Sequence, residues 1–245
     1  MKALAVFAVL CRDWSKRWEG VLTAFAAPVV LLVVLAGVYS ADLTSSPAVA
    51  AGYFVPGLLA AFVLGNGVLV FARANAEARD SGLLRRLSLT SLSKSDWALG
   101  AILLQVVLGL TLTLVMLLVG NLVYGAGLTA TGALFAFVAL WCLVSTGAGM
   151  VVAGLVSGTG RVTGVGLAAA LPLTLLSGTF WPVSSMPSYL RDAAALLPMT
   201  YLEDGLRASL SGSPAAVGAD AAITGVFAAV LVVLGWWLSW REGAR

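Results

Sequence analysis

Six long apolar segments constrain this chain more than any other feature of its sequence. Each is long enough to cross a bilayer as a helix, which requires about 20 apolar residues. Because 60% of the 245 residues are hydrophobic and only 10% are charged, we expect no separate soluble domain. The prediction is an all-α integral membrane protein with one transmembrane domain over residues 1–245. The apolar runs place its spans over residues 21–40, 54–72, 97–120, 132–156, 162–181 and 220–239.

The basic residues are concentrated in alternate loops, and this bias predicts the orientation of the spans. Of the 14 Lys and Arg residues, only Arg191 and Arg207 lie outside the N-terminal segment, the second-to-third and fourth-to-fifth loops, and the C-terminal tail. Basic loops stay in the cytoplasm, so both termini are predicted to be cytoplasmic. Tryptophan prefers the membrane interface, and six tryptophans lie at the predicted cytoplasmic ends of membrane segments, in agreement with this orientation. They are Trp14, Trp18, Trp97, Trp236, Trp237 and Trp240.

The segment before the first span, residues 1–19, forms an amphipathic helix if it is wound at helical period. Such a helix lies in the membrane plane with its basic face towards the headgroups. Two roles remain open: an inert anchor, or a lateral brace or gate beside a transport path. The predicted apolar face consists of Leu4, Phe7, Cys11, Trp14 and Trp18.

The loop over residues 72–96 is the most highly charged segment between two spans. Gly82 interrupts a helical extension of span two, and a short helix is predicted from Leu83 to Leu89. Leu83 and Leu87 would share one face of that helix. A solvated loop would explain the charges alone, whereas an apolar stripe among the charges indicates a helix that docks on another protein.

The segment over residues 181–219 is predicted to lie on the outer side as two re-entrant or interfacial helices. Pro182, Pro187 and Pro198 interrupt it, so no helix there is long enough to cross the membrane. The helices are predicted at residues 188–197 and 201–210.

Two capping boxes, in which a side chain and a backbone N–H bond reciprocally, are predicted to begin helices. One pairs Ser93 with Asp96 before span three, and the other pairs Thr200 with Glu203 in the outer segment. Glu203 also lies one turn before Arg207, a spacing that favours an ion pair.

Several absences narrow the function. The sequence has no histidine, and none of its three lysines lies in a phosphate-binding G-x-x-x-x-G-K-[ST] motif, so we predict no catalytic residue and no metal site. The membrane interior holds no Asp, Glu, Lys or Arg of the kind that coupled carriers use, which argues against a proton antiporter. Asn66 and Gln105 are the notable polar residues within spans. They would form interhelical hydrogen bonds or, alternatively, contact a substrate.

Two patches resemble the permease subunits of ABC type-2 exporters. The first, E-A-R-D-S-G-L-L-R-R-L-S-L-T-S-L-S at 77–93, resembles the coupling region E-R-E-x-G-T-L-E-R-L-x-x-x-P-L-S, which fits a groove on the ATPase subunit. Arg85 and Ser91 depart from that pattern, and Asp80 replaces a glutamate. The residues that the resemblance assigns to coupling are Glu77, Arg79, Asp80, Gly82, Leu83, Leu84, Arg86 and Leu87.

The second patch covers L-L-S-G-T-F-W-P-V-S-S-M-P-S-Y-L at 175–190 and L-P-M-T-Y-L-E-D-G-L-R at 197–207. It resembles the end of span five in this family, where two outer re-entrant helices follow. The residues that the resemblance assigns to an outer gate are Gly178, Phe180, Pro182, Pro187, Pro198, Glu203 and Arg207.

The resemblance implies a non-enzymatic permease in a bacterial plasma membrane. It would dimerise with a second copy or a paralogue and recruit ATPase subunits, which hold the ATP and Mg²⁺, so the chain itself needs no cofactor and binds no nucleic acid. Members of the daunorubicin- and doxorubicin-resistance kind are closest in size. The expected cargo is a hydrophobic drug, antibiotic or lipid-like molecule, in an apolar path to which Asn66 and Gln105 contribute.

Two other functions are compatible with the residues. One is an ATPase-independent secondary carrier or channel, which would need a coupling-ion site. The other is a membrane scaffold or assembly factor of the haem-export type, which would share the topology without transporting a substrate.

Overall fold

A computed structural model describes residues 2–42, 46–82, 93–211 and 217–241, and every regular element in these ranges is a helix. Two short stretches depart from α-helical geometry: a π-helical turn at Leu22–Ala26, which joins α2 to α3, and a 3₁₀ turn at Val183–Ser185. The α-helices are α1 (Lys2–Lys16), α2 (Trp18–Val21), α3 (Ala27–Asp42), α4 (Pro47–Asp80), α5 (Lys94–Leu122), α6 (Gly132–Leu155), α7 (Thr159–Leu176), α8 (Ser188–Ala194), α9 (Pro198–Leu210) and α10 (Val217–Arg241).

The predicted all-α fold with six spans is confirmed. Six helical segments of the described ranges are long and apolar enough to cross a membrane. The second, α4, continues well beyond its predicted end and reaches Asp80. Its 34 residues are about 50 Å long, whereas the hydrocarbon layer is about 30 Å thick. The six segments are Trp18–Ser40, Pro47–Asp80, Ser95–Leu122, Gly132–Leu155, Thr159–Leu176 and Gly218–Leu238.

Helix α4 is the centre of the bundle, and it contacts α3, α5, α6, α7 and α9. Glycines allow its close approach to α6. A Cβ built on Gly149 would lie 2.9 Å from the carbonyl oxygens of both Gly67 and Val68, closer than real Cβ atoms approach other atoms. The same device joins α6 to α10, where a Cβ on Gly147 would lie 2.9 Å from the backbone nitrogen of Val232. Small residues thus set the spacing of the bundle, as in other membrane helices.

The two ends of the bundle differ in charge. We call the end that holds Arg17, Arg73 and Glu77 the basic end, and the end that holds Tyr53 and Glu203 the far end. Antiparallel neighbours define these ends, because Arg17 at the start of span one contacts Glu77 at the end of span two. Short helices α8 and α9 lie at the far end, whereas α1 packs against α5.

The predicted apolar face of the N-terminal helix is only partly the face that packs on the bundle, because Phe7, Cys11 and Trp14 contact the core. Val6 and Leu10 are buried, whereas Leu4 is 59% exposed and Trp18 is 67% exposed. Helix α1 lies against α5, where a Cβ on Gly100 would lie 2.7 Å from Cγ1 of Val6. The helix also ends at Lys16, because Arg17 leaves helical geometry (φ −93°, ψ 80°), so Trp18 begins the next helix. The packed face therefore overlaps the predicted apolar face and adds Val6 and Leu10 to it.

One of the two predicted capping boxes is confirmed, and the other is wrong. Ser93 caps α5, with its side chain and that of Asp96 bonded reciprocally to the backbone. Helix α9, however, begins at Pro198, so Thr200 lies inside its first turn and donates to the carbonyl of Ala194 over 2.7 Å. Proline suits the first position of a helix because no N–H is needed there, so the helix begins before the expected cap.

Replacing Gly149 by Ala is expected to destabilise the bundle, because the new methyl group would press on the α4 backbone. Gly65→Ala on α4 is the matched control, since a Cβ at Gly65 meets no atom within 4 Å. We expect G149A to lose about 1–3 kcal/mol, the cost of overpacking, and G65A to be neutral or slightly stabilising. Thermal unfolding of the purified protein in detergent, followed by tryptophan fluorescence, measures both. Equal melting temperatures for the two variants would contradict the close contact.

Candidate functional site

The end of α4 is held at the basic end by polar contacts to two other segments. The Glu77 carboxylate accepts hydrogen bonds from both terminal nitrogens of Arg17, over 2.9 and 2.6 Å. On its other side, Asp80 accepts from the Thr159 hydroxyl over 3.3 Å. The predicted coupling residues Glu77 and Asp80 thus connect α4 to the α1–α2 junction and to the start of α7.

Gly82 ends this arrangement. Its φ of +67° lies in the left-handed region that favours glycine, and its N–H donates to the carbonyl of Arg79 over 2.9 Å. The predicted interruption of the helix at Gly82 therefore corresponds to a helix-terminating turn directly after α4. The remaining predicted coupling residues, Leu83, Leu84, Arg86 and Leu87, lie outside the described residues.

A cavity of about 900 Å³ opens beside the Arg17–Glu77 ion pair. Its walls are the α1–α2 junction, the C-terminal half of α4 and the start of α5. The part of α4 nearer the bundle centre contributes Asn66, Leu69 and Val70, whereas the part nearer the basic end contributes Arg73 and Glu77. The cavity therefore changes from apolar to charged along α4.

The two intramembrane amides occupy different environments. Gln105 is 2% exposed, and its Nε2 donates to the carbonyl of Val63 over 2.9 Å, which is an interhelical hydrogen bond between α5 and α4. Asn66 is partly buried and lines the cavity at the basic end. Of these two amides, only Asn66 faces this space.

At the far end, a buried carboxylate joins α9 to the end of α7. Glu203 on α9 is 1% exposed, and its Oε1 accepts hydrogen bonds from the hydroxyls of Ser177, over 2.6 Å, and of Thr179. Its Oε2 lies 3.3 Å from the guanidinium of Arg207, which confirms the predicted ion pair. Burial raises the pKa of Glu203, while the hydrogen bonds from the two hydroxyls and the charge of Arg207 oppose that rise.

Arg207 extends this cluster to α4. It donates to the carbonyl of Gly178 over 2.9 Å, and the Tyr53 hydroxyl donates to the same oxygen over 2.9 Å. The guanidinium also lies over the Tyr53 ring, 4.4 Å from its centroid, in cation–π geometry. Gly178 has a φ of +104°, a conformation that favours glycine and turns its carbonyl towards both donors. We call Tyr53, Ser177, Gly178, Thr179, Glu203 and Arg207 the far-end cluster.

The other predicted gate residues lie around this cluster without joining it. The ring centroid of Phe180 is 6.1 Å from that of Trp181. Pro182 and Pro187 are exposed and precede the 3₁₀ turn and α8, respectively, while Pro198 begins α9. The prolines thus determine where short helices begin, and the polar contacts are made by their neighbours.

Sequence reasoning missed Tyr53, Ser177 and Thr179 in the far-end cluster, and Arg17 at the basic end. Ser177 and Thr179 flank Gly178 in the predicted patch, so a polar–Gly–polar triplet at the end of a span was an available signal. No local signal pairs Arg17 with Glu77, because 60 positions separate them. Within the described residues, no group of three or more His, Cys, Asp or Glu side chains forms a metal site.

These features define the class of protein: a multi-pass α-helical membrane protein with an amphipathic helix at one end and short helices at the other. The chain belongs to the ABC-2 type transporter family, whose profile matches residues 4–211. It is also similar to the linearmycin resistance permease protein LnrN of Bacillus subtilis (strain 168), with 26% identity over 130 residues. That alignment covers 53% of this chain and 34% of the relative, so the chain spans about a third of the relative's length.

Family membership confirms the predicted class. The chain therefore holds the membrane region that defines the ABC-2 type transporter family. The match runs from α1 to the last residues of the α9 region, so it includes both the basic-end cavity and the far-end cluster.

Replacing Glu203 by Gln is expected to lower the stability of the protein by weakening the contacts of the far-end cluster. The amide nitrogen cannot accept a hydrogen bond, and Arg207 loses its counter-ion, so we expect a loss of about 1–3 kcal/mol. Asp204→Asn is the matched control, because the neighbouring Asp204 is exposed and makes no hydrogen bond to the described residues. Thermal unfolding in detergent gives the melting temperatures of both variants. Equal melting temperatures for E203Q and D204N would contradict the structural role of Glu203.

Proposed function

We propose that this chain is the membrane subunit of an ATP-driven exporter that moves a hydrophobic drug, antibiotic or lipid-like molecule out of the cell. The observation that supports it most is the family match over residues 4–211. A second support is the extension of α4 beyond the bilayer thickness to Asp80, which leads directly into the predicted coupling segment. A separate ATPase subunit binds ATP and Mg²⁺.

The orientation that we propose places the basic end, and with it both termini, in the cytoplasm of a bacterium. The distribution of Lys and Arg supports it, because basic loops are retained on the cytoplasmic side. The far-end cluster and helices α8 and α9 then face outwards.

Accessibility to a membrane-impermeant thiol reagent measures this orientation. Cysteines introduced singly at Ser81 and at Ser184, in a background with Cys11 and Cys142 replaced by Ser, should differ. We expect labelling of intact cells at position 184 only, and labelling of both positions after permeabilisation. Labelling at position 81 in intact cells would contradict the proposed orientation.

In the proposed mechanism, closure of the ATPase subunits on ATP pushes on residues 72–96. Because the Arg17–Glu77 ion pair connects this region to the α1–α2 junction, a displacement of α4 is transmitted to span one. The coupling surface comprises Glu77, Arg79, Asp80 and Gly82, together with the segment that follows. Its apolar contacts come from Leu83, Leu84 and Leu87, with Arg86 beside them.

We assign the outer gate to the far-end cluster and the segment around it. Glu203 and Arg207 join α9 to Gly178 at the end of span five, so moving α9 away requires breaking charged hydrogen bonds. Phe180 and the three prolines form the surrounding turns. Export would then require a transient opening of this cluster.

The relative's name concerns resistance to linearmycin, and this supports a role in export of a toxic compound for the present chain. Asn66 lines the basic-end cavity, whereas Gln105 contacts the substrate path only if α4 and α5 separate. We also propose a dimer with a second copy or a paralogue. Exposed apolar side chains on α3 and α10 offer faces for lipid and for that partner.

Disrupting the apolar stripe of Leu83 and Leu87 in the predicted coupling segment should abolish binding of the ATPase subunit. We expect the double variant Leu83→Asp and Leu87→Asp to insert normally but to lose the ATPase subunit in affinity purification of the tagged chain. The control is Ser88→Asp with Ser91→Asp, which adds the same two charges to the same loop away from the stripe. The mass of the wild-type complex also tests for two permease copies.

The alternatives make different predictions for the same experiment. A secondary carrier would transport in liposomes with no ATPase present, and an assembly factor would purify without a substrate-stimulated ATPase. Resistance or transport that survives in L83D/L87D, or in cells that lack every neighbouring ATPase gene, would refute the exporter.

A further inference from the structure

We infer that the basic-end cavity is a binding site for an amphiphile whose headgroup carries a positive and a negative charge. The inference concerns a property of the isolated chain, and it does not depend on the direction of transport. The volume of the cavity, about 900 Å³, lies within the range of small-molecule sites.

The cavity is amphipathic in the same direction as a lipid. Leu69, Val70 and Leu104 form its inner part, towards the centre of the bundle. The outer part is formed by charged residues of the α1–α2 junction and of α4 near Glu77. An alkyl chain therefore fits inwards among apolar side chains, and a headgroup fits at the charged rim.

The charges at the rim balance. Its cations are Lys16, Arg17 and Arg73, and its anions are Asp13, Glu19 and Glu77. Arg17 and Glu77 neutralise each other in their ion pair, which leaves two cations and two anions. A rim of zero net charge does not concentrate singly charged ligands, whereas separated charges of both signs favour a zwitterion.

Two donors in the cavity wall can bind the anionic part of such a headgroup. Trp97 lines the cavity, and its buried Nε1 has no hydrogen-bond partner among the described residues, which is a costly state for an indole N–H. The Nε of Arg73 donates to Thr163 over 2.8 Å, and its terminal nitrogens make no hydrogen bond to the described residues. Phosphate or carboxylate oxygens would satisfy both.

The part of the wall formed by the α1–α2 junction suits the cationic part of the headgroup. Trp14 and Trp18 line the cavity together with Asp13 and Glu19. Aromatic faces beside carboxylates are the environment that proteins use for ammonium groups. The same wall departs from regular helix: Arg17 interrupts it, and the π-helical turn at Leu22–Ala26 follows directly. Such turns are frequent at functional sites, because they let a helix change register locally.

Native mass spectrometry of the purified full chain tests the headgroup preference. The probes are lauroyl lysophosphatidylcholine, lauroyl lysophosphatidylglycerol and monolauroylglycerol, which share one acyl chain and differ in headgroup charge. At equal concentrations, we expect the zwitterionic probe to bind about tenfold more tightly than either of the others. Equal binding of all three, or a preference for the anionic probe, would overturn the inference.

Variants locate the site. Arg73→Gln should weaken binding of lysophosphatidylcholine about tenfold, because a charged hydrogen bond is lost. Arg161→Gln is the control, since Arg161 is an exposed arginine of the same end that does not line the cavity. Trp97→Phe keeps the ring and removes the donor, so a loss of about threefold or more is expected if Trp97 contacts the headgroup. If R73Q and W97F both bind like R161Q, the cavity is not the site.

Removing the rim acids should change the selectivity. The double variant Asp13→Asn and Glu19→Gln leaves an excess of positive charge, so the preferred probe should become lysophosphatidylglycerol. A variant that still prefers the zwitterionic probe would contradict the charge argument.

The source of the natural ligand is read from the untreated sample. A zwitterionic lipid retained through purification identifies the bilayer as the source, whereas uptake only from added probe indicates a soluble amphiphile.

Discussion

A bilayer offers no hydrogen-bond partners, and the rest of this structure depends on how the chain meets that constraint. Its backbone is satisfied inside helices, and several polar side chains buried between the helices bond to backbone oxygens. Trp141 donates to the carbonyl of Ala60 over 2.8 Å, and Gln105 to that of Val63. Both oxygens belong to α4, so side chains from α5 and α6 are anchored on the same central helix. Glycine contacts such as that of Gly149 with α4 bring the backbones close enough for these bonds.

The polar groups at the two ends of the bundle are paired in different ways. At the far end, Glu203, Arg207 and Gly178 bond to one another in a closed, largely buried cluster, in which the Nε of Arg207 has no hydrogen-bond partner among the described residues. At the basic end, the Arg17–Glu77 pair is exposed and lies beside an open cavity. A closed polar cluster resists separation, whereas an exposed ion pair contributes little stability and rearranges readily. This asymmetry fits a protein that accepts ligands and a driving force at one end and restricts passage at the other.

The fold was largely predictable, and the contacts between distant segments were not. Hydropathy identified the six spans, and the Ser93–Asp96 box identified the start of α5. Periodicity was only partly right for the N-terminal helix: Phe7, Cys11 and Trp14 lie on the predicted face and pack on the core, but Val6 and Leu10 are also covered and Leu4 is exposed. The Thr200–Glu203 box failed because Glu203 finds stronger partners in Ser177 and Thr179 than in its own helix terminus. Local sequence patterns indicate which contacts a residue favours, but neighbours that are distant in sequence decide which contacts it makes.

By itself, the sequence determined the solvent, the class of fold and the approximate family, because apolar length and local motifs are properties of short segments. The tertiary structure decided which face of α1 is buried, which groups pair with Arg17 and Glu203, and where a cavity remains. These depend on contacts between residues that are far apart in sequence, such as Tyr53 and Gly178, which are 125 positions apart. The reason is physical: burial and desolvation are set by all the neighbours of a residue together, and most of those neighbours are distant in sequence.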